Sequence, residues 1–116
     1  DGGGKIIRAK NNMLEAKELQ KVQKSFSEMK DRLAFVFEAL GDPTRLNIFK
    51  LLSKEKKDLC VTDIANVFKI SVPAASYQLK ILEMVGLIER ERMGQMTCYT
   101  LREKDPLVRN VLKIIQ

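Results

Sequence analysis

Residues 62–86 read TDIANVFKISVPAASYQLKILEMVG. Thr62 is an N-cap residue type placed ahead of Ile64, Ala65 and Phe68, whose spacing predicts a short helix beginning there. Ser71 is a second N-cap, Pro73 lies in the turn that follows it, and Ala75, Leu79 and Leu82 recur at helical spacing until Gly86 ends the run. Two short helices joined this tightly, the second opening on small and polar side chains, form a helix-turn-helix, residues 62–85. In that arrangement the N-terminal part of the second helix enters a major groove.

On the C-terminal side, Leu87 to Arg92 and Met96 to Leu101 are strand-like runs around Met93, Gly94 and Gln95, which predicts a hairpin wing over 87–101. Asp105 then caps a last helix, 106–116, that carries Val108, Val111, Leu112 and Ile115. On the N-terminal side, Asp42 and Pro43 start a helix bearing Leu46, Ile48, Phe49, Leu51 and Leu52. The charged run 53–58 reads as a solvated loop, and Leu59, Cys60 and Val61 form a brief β-leaning segment. Further upstream, Leu19, Val22, Phe26, Met29, Leu33, Val36 and Leu40 follow at alternating spacings of three and four, the seam of one long helix over 11–40. Ala34, Phe35, Phe37 and Ala39 widen its stripe, so its end is expected to enter the domain core. Residues 1–10, with Gly2, Gly3 and Gly4, read as a flexible leader. The expected fold is therefore mainly α with a small β-hairpin wing: one winged helix-turn-helix domain over 11–116. The long first helix and the last helix supply a dimer interface through Leu19, Val22, Phe26, Met29, Leu33, Val111, Leu112 and Ile115.

Composition narrows the function. The 116 residues include 21 Lys and Arg against 15 Asp and Glu, a formal charge of +6, with no His and two Cys. Histidine acid–base chemistry and most zinc sites are removed, so an enzyme is not expected. No membrane span or signal segment is evident, and the expected location is cytoplasmic.

Five segments, in this order and spacing, resemble the ArsR/SmtB family of winged-helix repressors: ALGDPTRLNI (39–48), LCVTDIA (59–65), SYQLK (76–80), GLI (86–88) and YTL (99–101). The resemblance implies a homodimer with the first and last helices at its interface, and repression relieved by a signal. In that family a Cys-x-Cys pair opens the helix before the recognition helix of many soft-metal sensors. Here Cys60 is followed by Thr62 in the second position. Zinc and nickel sensors of the family use Asp, His and Glu on the last helix, where this chain has Asp105 but no His. The family also often has Gly where Lys69 stands, so a slightly different turn is expected.

On the second motif helix the residues facing away from the apolar stripe are Val72, Pro73, Ala74, Ser76, Tyr77 and Lys80. With Ser71 and Gln78, whose carboxamide suits adenine although it points partly inward, they form the expected DNA-contacting set, completed by Arg90, Arg92 and Gln95 of the wing. Strand alternation separates Arg90 and Arg92 from Glu89 and Glu91. Over 71–100 three basic residues (Lys80, Arg90, Arg92) face three acidic ones (Glu83, Glu89, Glu91), so the reading head is near neutral and only moderate nonspecific affinity is expected. The partner expected is double-stranded DNA with an inverted-repeat operator. The alternative is a winged helix that binds protein with little DNA reading; a small redox enzyme is the poorest reading, there being no Cys-x-x-Cys.

Pairing of Leu59, Cys60 and Val61 with the last wing strand would bring Cys60 and Cys98 side by side, on the face opposite Tyr99 and Leu101. The plainer expectation is two unlinked thiols acting as small apolar residues. The alternative is a thiol sensor in which they form a disulfide or hold a soft ion. No metal or other cofactor is otherwise called for.

Overall fold

Helix starts along this chain are set by side chains that satisfy the first free N–H groups. The Asp42 Oδ2 accepts from the Arg45 N–H at 3.0 Å and Pro43 sits in the first turn. Ser71 Oγ accepts from the Ala74 N–H at 3.1 Å, and Asp105 Oδ1 from the Leu107 N–H at 3.0 Å. All three caps fall where the sequence places them. The fourth does not: the helix expected to be capped by Thr62 is capped by Cys60 and starts at Val61, two residues earlier, and the Asp63 carboxylate reaches back to the Cys60 N–H at 3.0 Å.

The computed structural model describes residues 13–28, 31–55 and 57–115. The elements are α1 (Ala16–Glu28), α2 (Arg32–Leu40), α3 (Pro43–Lys54), β1 (Leu59–Cys60), α4 (Val61–Phe68), α5 (Val72–Met84), β2 (Ile88–Met93), β3 (Met96–Leu101) and α6 (Pro106–Ile115). The chain divides into two compact units, Asp1–Asp31 and Arg32–Gln116. The leader and Met29 lie outside the described residues.

The single helix expected over 11–40 is thus two, α1 and α2. Asp31, a residue type that favours helix starts over interiors, belongs to neither. Within the first unit, Leu19, Val22 and Phe26 of α1 are all exposed.

In the second unit α4 and α5 form the helix-turn-helix, and the three strands pair antiparallel in the order β1-β3-β2. The register pairs Leu59 with Tyr99, Cys60 with Cys98, and Ile88 with Leu101. The core gathers side chains from the helices of this unit and from β2 and β3, Val36, Ile48, Phe49, Leu52, Ile64, Ala75, Leu79, Leu82, Leu87, Ile88, Tyr99, Leu101 and Val108, with Leu59 of β1 half-buried against it. Phe35 and Phe37, expected to enter it, are exposed. On a nine-residue helix the inward positions are Val36 and Ala39, three apart, and the two phenylalanines flank that line. Val111 departs in the opposite sense. It is expected at a dimer interface but is only 4% exposed, because with Val108 it forms the inward stripe of α6.

Two local features hold the motif in shape. Lys69 ends α4 in the left-handed region, φ 55° and ψ 44°, so the turn keeps the geometry a glycine would take, despite its side chain. Gly86 ends α5 with φ 80°, and a Cβ there would come within 2.9 Å of the Arg32 guanidinium. That guanidinium donates to the Gly86 carbonyl at 3.1 Å and to Asp105 Oδ2 at 2.7 Å, tying the start of α2 to the base of the wing and the cap of α6.

The left-handed Lys69 costs about 1–2 kcal/mol relative to an unstrained position. Lys69→Gly is expected to raise unfolding stability by about 1 kcal/mol, net of the entropy glycine loses on folding, in urea denaturation. The Arg32 hydrogen bond is the main cause that holds the Asp105 carboxyl below its ordinary range. Its contribution is full above the unfolded-state value and is lost as pH falls through the lowered one. Urea midpoints followed into acid should therefore fall for the natural protein, whereas Asp105→Asn should start lower at neutral pH and show a shallower acid limb.

Candidate nucleic-acid interface

Burying Ala75, Leu79 and Leu82 turns the opposite face of α5 outward. Ser71, Val72, Pro73, Ala74, Ser76, Tyr77 and Lys80 are all exposed, Tyr77 to 64%. The face is continuous from the capping serine to the middle of the helix, and its first half is small or polar.

Gln78 is different. It is half-buried, and its Oε1 accepts from Arg45 Nη1 at 3.0 Å. Arg45 also donates through Nε to the Ala39 carbonyl at 2.7 Å. The carboxamide oxygen expected to pair with adenine is thus engaged inside the protein, linking α5 to the end of α2. The partly inward direction read from the sequence is the one observed. Arg45 itself went unnoticed at the sequence level, since nothing in the run DPTR marks which of its side chains turns inward.

The wing is a two-residue hairpin in which Met93 pairs with Met96 across Gly94 and Gln95. Gly94 takes a φ of 65° at the first of these positions, which a glycine allows without strain. Arg90 stands opposite Tyr99 and Arg92 opposite Thr97, while Glu89 and Glu91 stand opposite Thr100 and Cys98, so alternation separates the two signs. Arg90 Nε lies 3.8 Å from Glu83 Oε2 of α5, and Arg92 Nε donates to the Gly94 carbonyl at 3.3 Å. Arg90 and Gln95 share a cleft of about 360 Å³ with Val72 and Ser76 of α5 and Thr97 of β3. One concave surface therefore brings together side chains expected at the groove from both the helix and the wing. Tyr99 also lines this cleft, and burial, followed by the Glu83 carboxylate, raises its phenol above the ordinary value.

Cys60 and Cys98 are disulfide-bonded across β1 and β3. The plainer sequence expectation, two unlinked thiols, is overturned; the antiparallel register sets the two residues directly opposite. Their setting also differs from an open outer face, since Cys98 is 1% exposed and Cys60 half-buried. In the bonded state neither sulfur is a thiolate available to a soft ion. Among the described residues no group of three or more His, Cys, Asp or Glu is placed to hold a metal ion.

Of the residues expected at a dimer interface, Leu19, Val22, Phe26 and Leu33 are exposed, and Leu112 and Ile115 half-buried. Ile114, one of the apolar residues of the last helix but not of the expected interface set, is 72% exposed.

Comparison with known proteins gives this geometry a family. Residues 42–90 match the family model described as bacterial regulatory protein, arsR family. A transcriptional repressor SmtB homolog of Synechocystis sp. is 38% identical over 72 residues, 62% of this chain and 53% of the relative, so the chain spans about half the length of that protein. A helix-turn-helix-type transcriptional regulator of Methanocaldococcus jannaschii, itself uncharacterised, is 34% identical over 88 residues, 76% of this chain and 96% of the relative. Among solved structures, the homodimeric winged helix-turn-helix DNA-binding domain Mb0332 of Mycobacterium bovis superposes with a TM-score of 0.63 at 23% identity, over 90% of this chain and 86% of that one. No described helix is long and apolar enough to cross a membrane. With the caps, the helix-turn-helix and the wing all in the positions the motif demands, the chain belongs to the arsR family of bacterial transcriptional regulators.

Proposed function

We propose that the protein is a homodimeric repressor that reads an inverted-repeat operator, with the outer face of α5 in the major groove and the wing on the flanking backbone. The observation that carries this reading is the shared surface of Val72, Ser76, Arg90 and Gln95. It lets one rigid module engage base edges and phosphates together. Ser71, Ser76 and Tyr77 supply hydrogen bonds, Pro73 and Ala74 allow close approach, and Lys80, Arg90 and Arg92 meet phosphates. Work on chromosomal DNA belongs in the cytoplasm, and release by a signal fits the family.

Homodimerisation is supported by exposed apolar side chains: Leu19, Val22 and Phe26 on α1, Phe35 and Phe37 on α2, and Ile114 on α6. The Mycobacterium bovis domain is itself homodimeric. A second copy of the chain would cover these residues and set two α5 helices one helical turn of DNA apart.

Gel retardation on the protein's own promoter region, with sedimentation to fix the stoichiometry, tests the reading. One dimer per inverted repeat is expected; absence of a retarded band across the promoter would favour the protein-binding alternative. Tyr77→Ala should lower operator affinity about tenfold or more without loss of folding, since a good base contact is worth about 1–3 kcal/mol. Gln78→Ala should alter operator preference less than Tyr77→Ala, its oxygen being held by Arg45. Binding of the Arg92→Ala dimer, measured over a range of salt, should show a log–log slope shallower by roughly 2, one released counterion per wing.

A further inference from the structure

We propose that the Cys60–Cys98 pair is a reversible thiol modification site whose oxidation fixes the wing against the helix-turn-helix and so strengthens DNA binding. The proposal deepens the DNA-binding reading above and rests on it.

Strand β1 is two residues long, and its ladder to β3 has only two pairs. One of those pairs is the disulfide. Cys60 is the N-cap of α4, the first helix of the motif, and Cys98 lies in the strand whose neighbours Thr97 and Tyr99 stand opposite the two wing arginines. The bond is therefore the covalent tie between the helix pair and the strand that backs Arg90 and Arg92. Cys60 also lines the cleft shared by Val72, Ser76, Arg90 and Gln95. A change at this sulfur falls within the surface proposed to meet DNA.

Burial decides which end reacts. Cys98 is buried and Cys60 half-buried, so an incoming thiolate reaches the Cys60 sulfur first. With a dithiol reductant, attack at Cys60 breaks the protein S–S bond, forms a mixed disulfide and releases Cys98 as a thiolate. The second thiol of the reductant then displaces Cys60 and leaves as a cyclic disulfide. Two electrons and two protons pass to the protein, giving two thiols. In the reverse direction the Cys60 thiolate attacks a hydroperoxide ROOH, becoming a sulfenic acid as ROH leaves, and the Cys98 thiol condenses with it to re-form the disulfide with loss of water. In a reducing cytoplasm an intramolecular disulfide is ordinarily transient and redox-responsive, so a pair held in register across β1 and β3 is placed for switching. The direction of the effect follows from preorganisation. With the tie present, helix and wing meet the duplex already fixed; without it, the wing must be ordered during binding.

The test uses the full chain and a labelled duplex of its promoter region, after hydrogen peroxide or dithiothreitol treatment. Thiol counting should find none free when oxidised and two when reduced. Fluorescence anisotropy should show the oxidised protein binding about fivefold or more tightly than the reduced, a coupling of ordinary size. Cys60→Ser and Cys98→Ser should each bind at the reduced level and ignore peroxide. Amide hydrogen exchange over residues 88–101, measured without DNA, should quicken on reduction in the natural protein and be insensitive to peroxide in both variants. Equal affinity in the two states, tighter binding when reduced, or free thiols after peroxide would each overturn the proposal. If neither form binds the duplex, the DNA-binding reading fails, and the exchange measurement decides the switch alone: unchanged wing exchange on reduction overturns it.

Discussion

Everything the α5 helix offers outward depends on what it buries. Ala75, Leu79 and Leu82 are fully enclosed, and this one stripe fixes the rotation of the helix about its axis. A helix turned by one residue, about 100°, would bring Ser76, Lys80 and Glu83 inward and break the core. Side chains that contribute little to stability therefore hold their direction because three others cannot leave theirs. The caps act on the same helix along its length: Ser71 sets where it begins, and Gly86, with Arg32 against it, sets where it stops.

Rotation and length still leave the helix free to shift as a body, and polar ties limit that. Arg45 joins the Ala39 carbonyl at the end of α2 to Gln78 in the middle of α5. Arg32 joins the other end of α2 to Gly86 and Asp105. A nine-residue helix with a modest inward face is thus held at both ends by arginines, one of which reaches the middle of α5. Since α2 also carries Leu33, Phe35 and Phe37 on its outside, a second copy of the chain packing there would press on α5 through Arg45.

The elements that were legible from the sequence are those with local causes. Asp42, Ser71 and Asp105 are capping residues whose partners lie two or three positions away, and all three cap. The wing followed from alternation about Gly94, and the same period of two put Cys60 and Cys98 on one face, where the β1–β3 register sets them opposite each other. What escaped has long-range causes. Whether a repeat of three and four belongs to one helix or two is not set by the repeat, and the seam from Leu19 to Leu40 is divided between α1 and α2. Val111 looked like an interface residue because its spacing suits either an intramolecular or an intermolecular face. Only packing on the rest of the domain decides, and it decides for the core. Lys69 was expected to distort the turn, yet the buried stripes of α4 and α5 hold the left-handed geometry against its local cost.

Charge is the remaining question, because a net +6 suggests an electrostatic grip that the reading head does not have. Glu83 stands 3.8 Å from Arg90 on the helix side of the wing, so one of the three basic residues over 71–100 already has an acidic neighbour. A surface near neutrality gains little from counterion release, and its affinity for arbitrary DNA is correspondingly small. On the proposed reading, discrimination between sites would then come from close fit: small residues at the start of α5, an exposed phenol in its middle and a wing at a fixed distance. Such a surface is more sensitive to its own rigidity than a strongly basic one, because loss of fit is not covered by long-range attraction. If the outer face of α5 and the wing meet DNA as proposed, near-neutrality and the cross-strand tie belong together, the placement of the wing then counting for more than its charge.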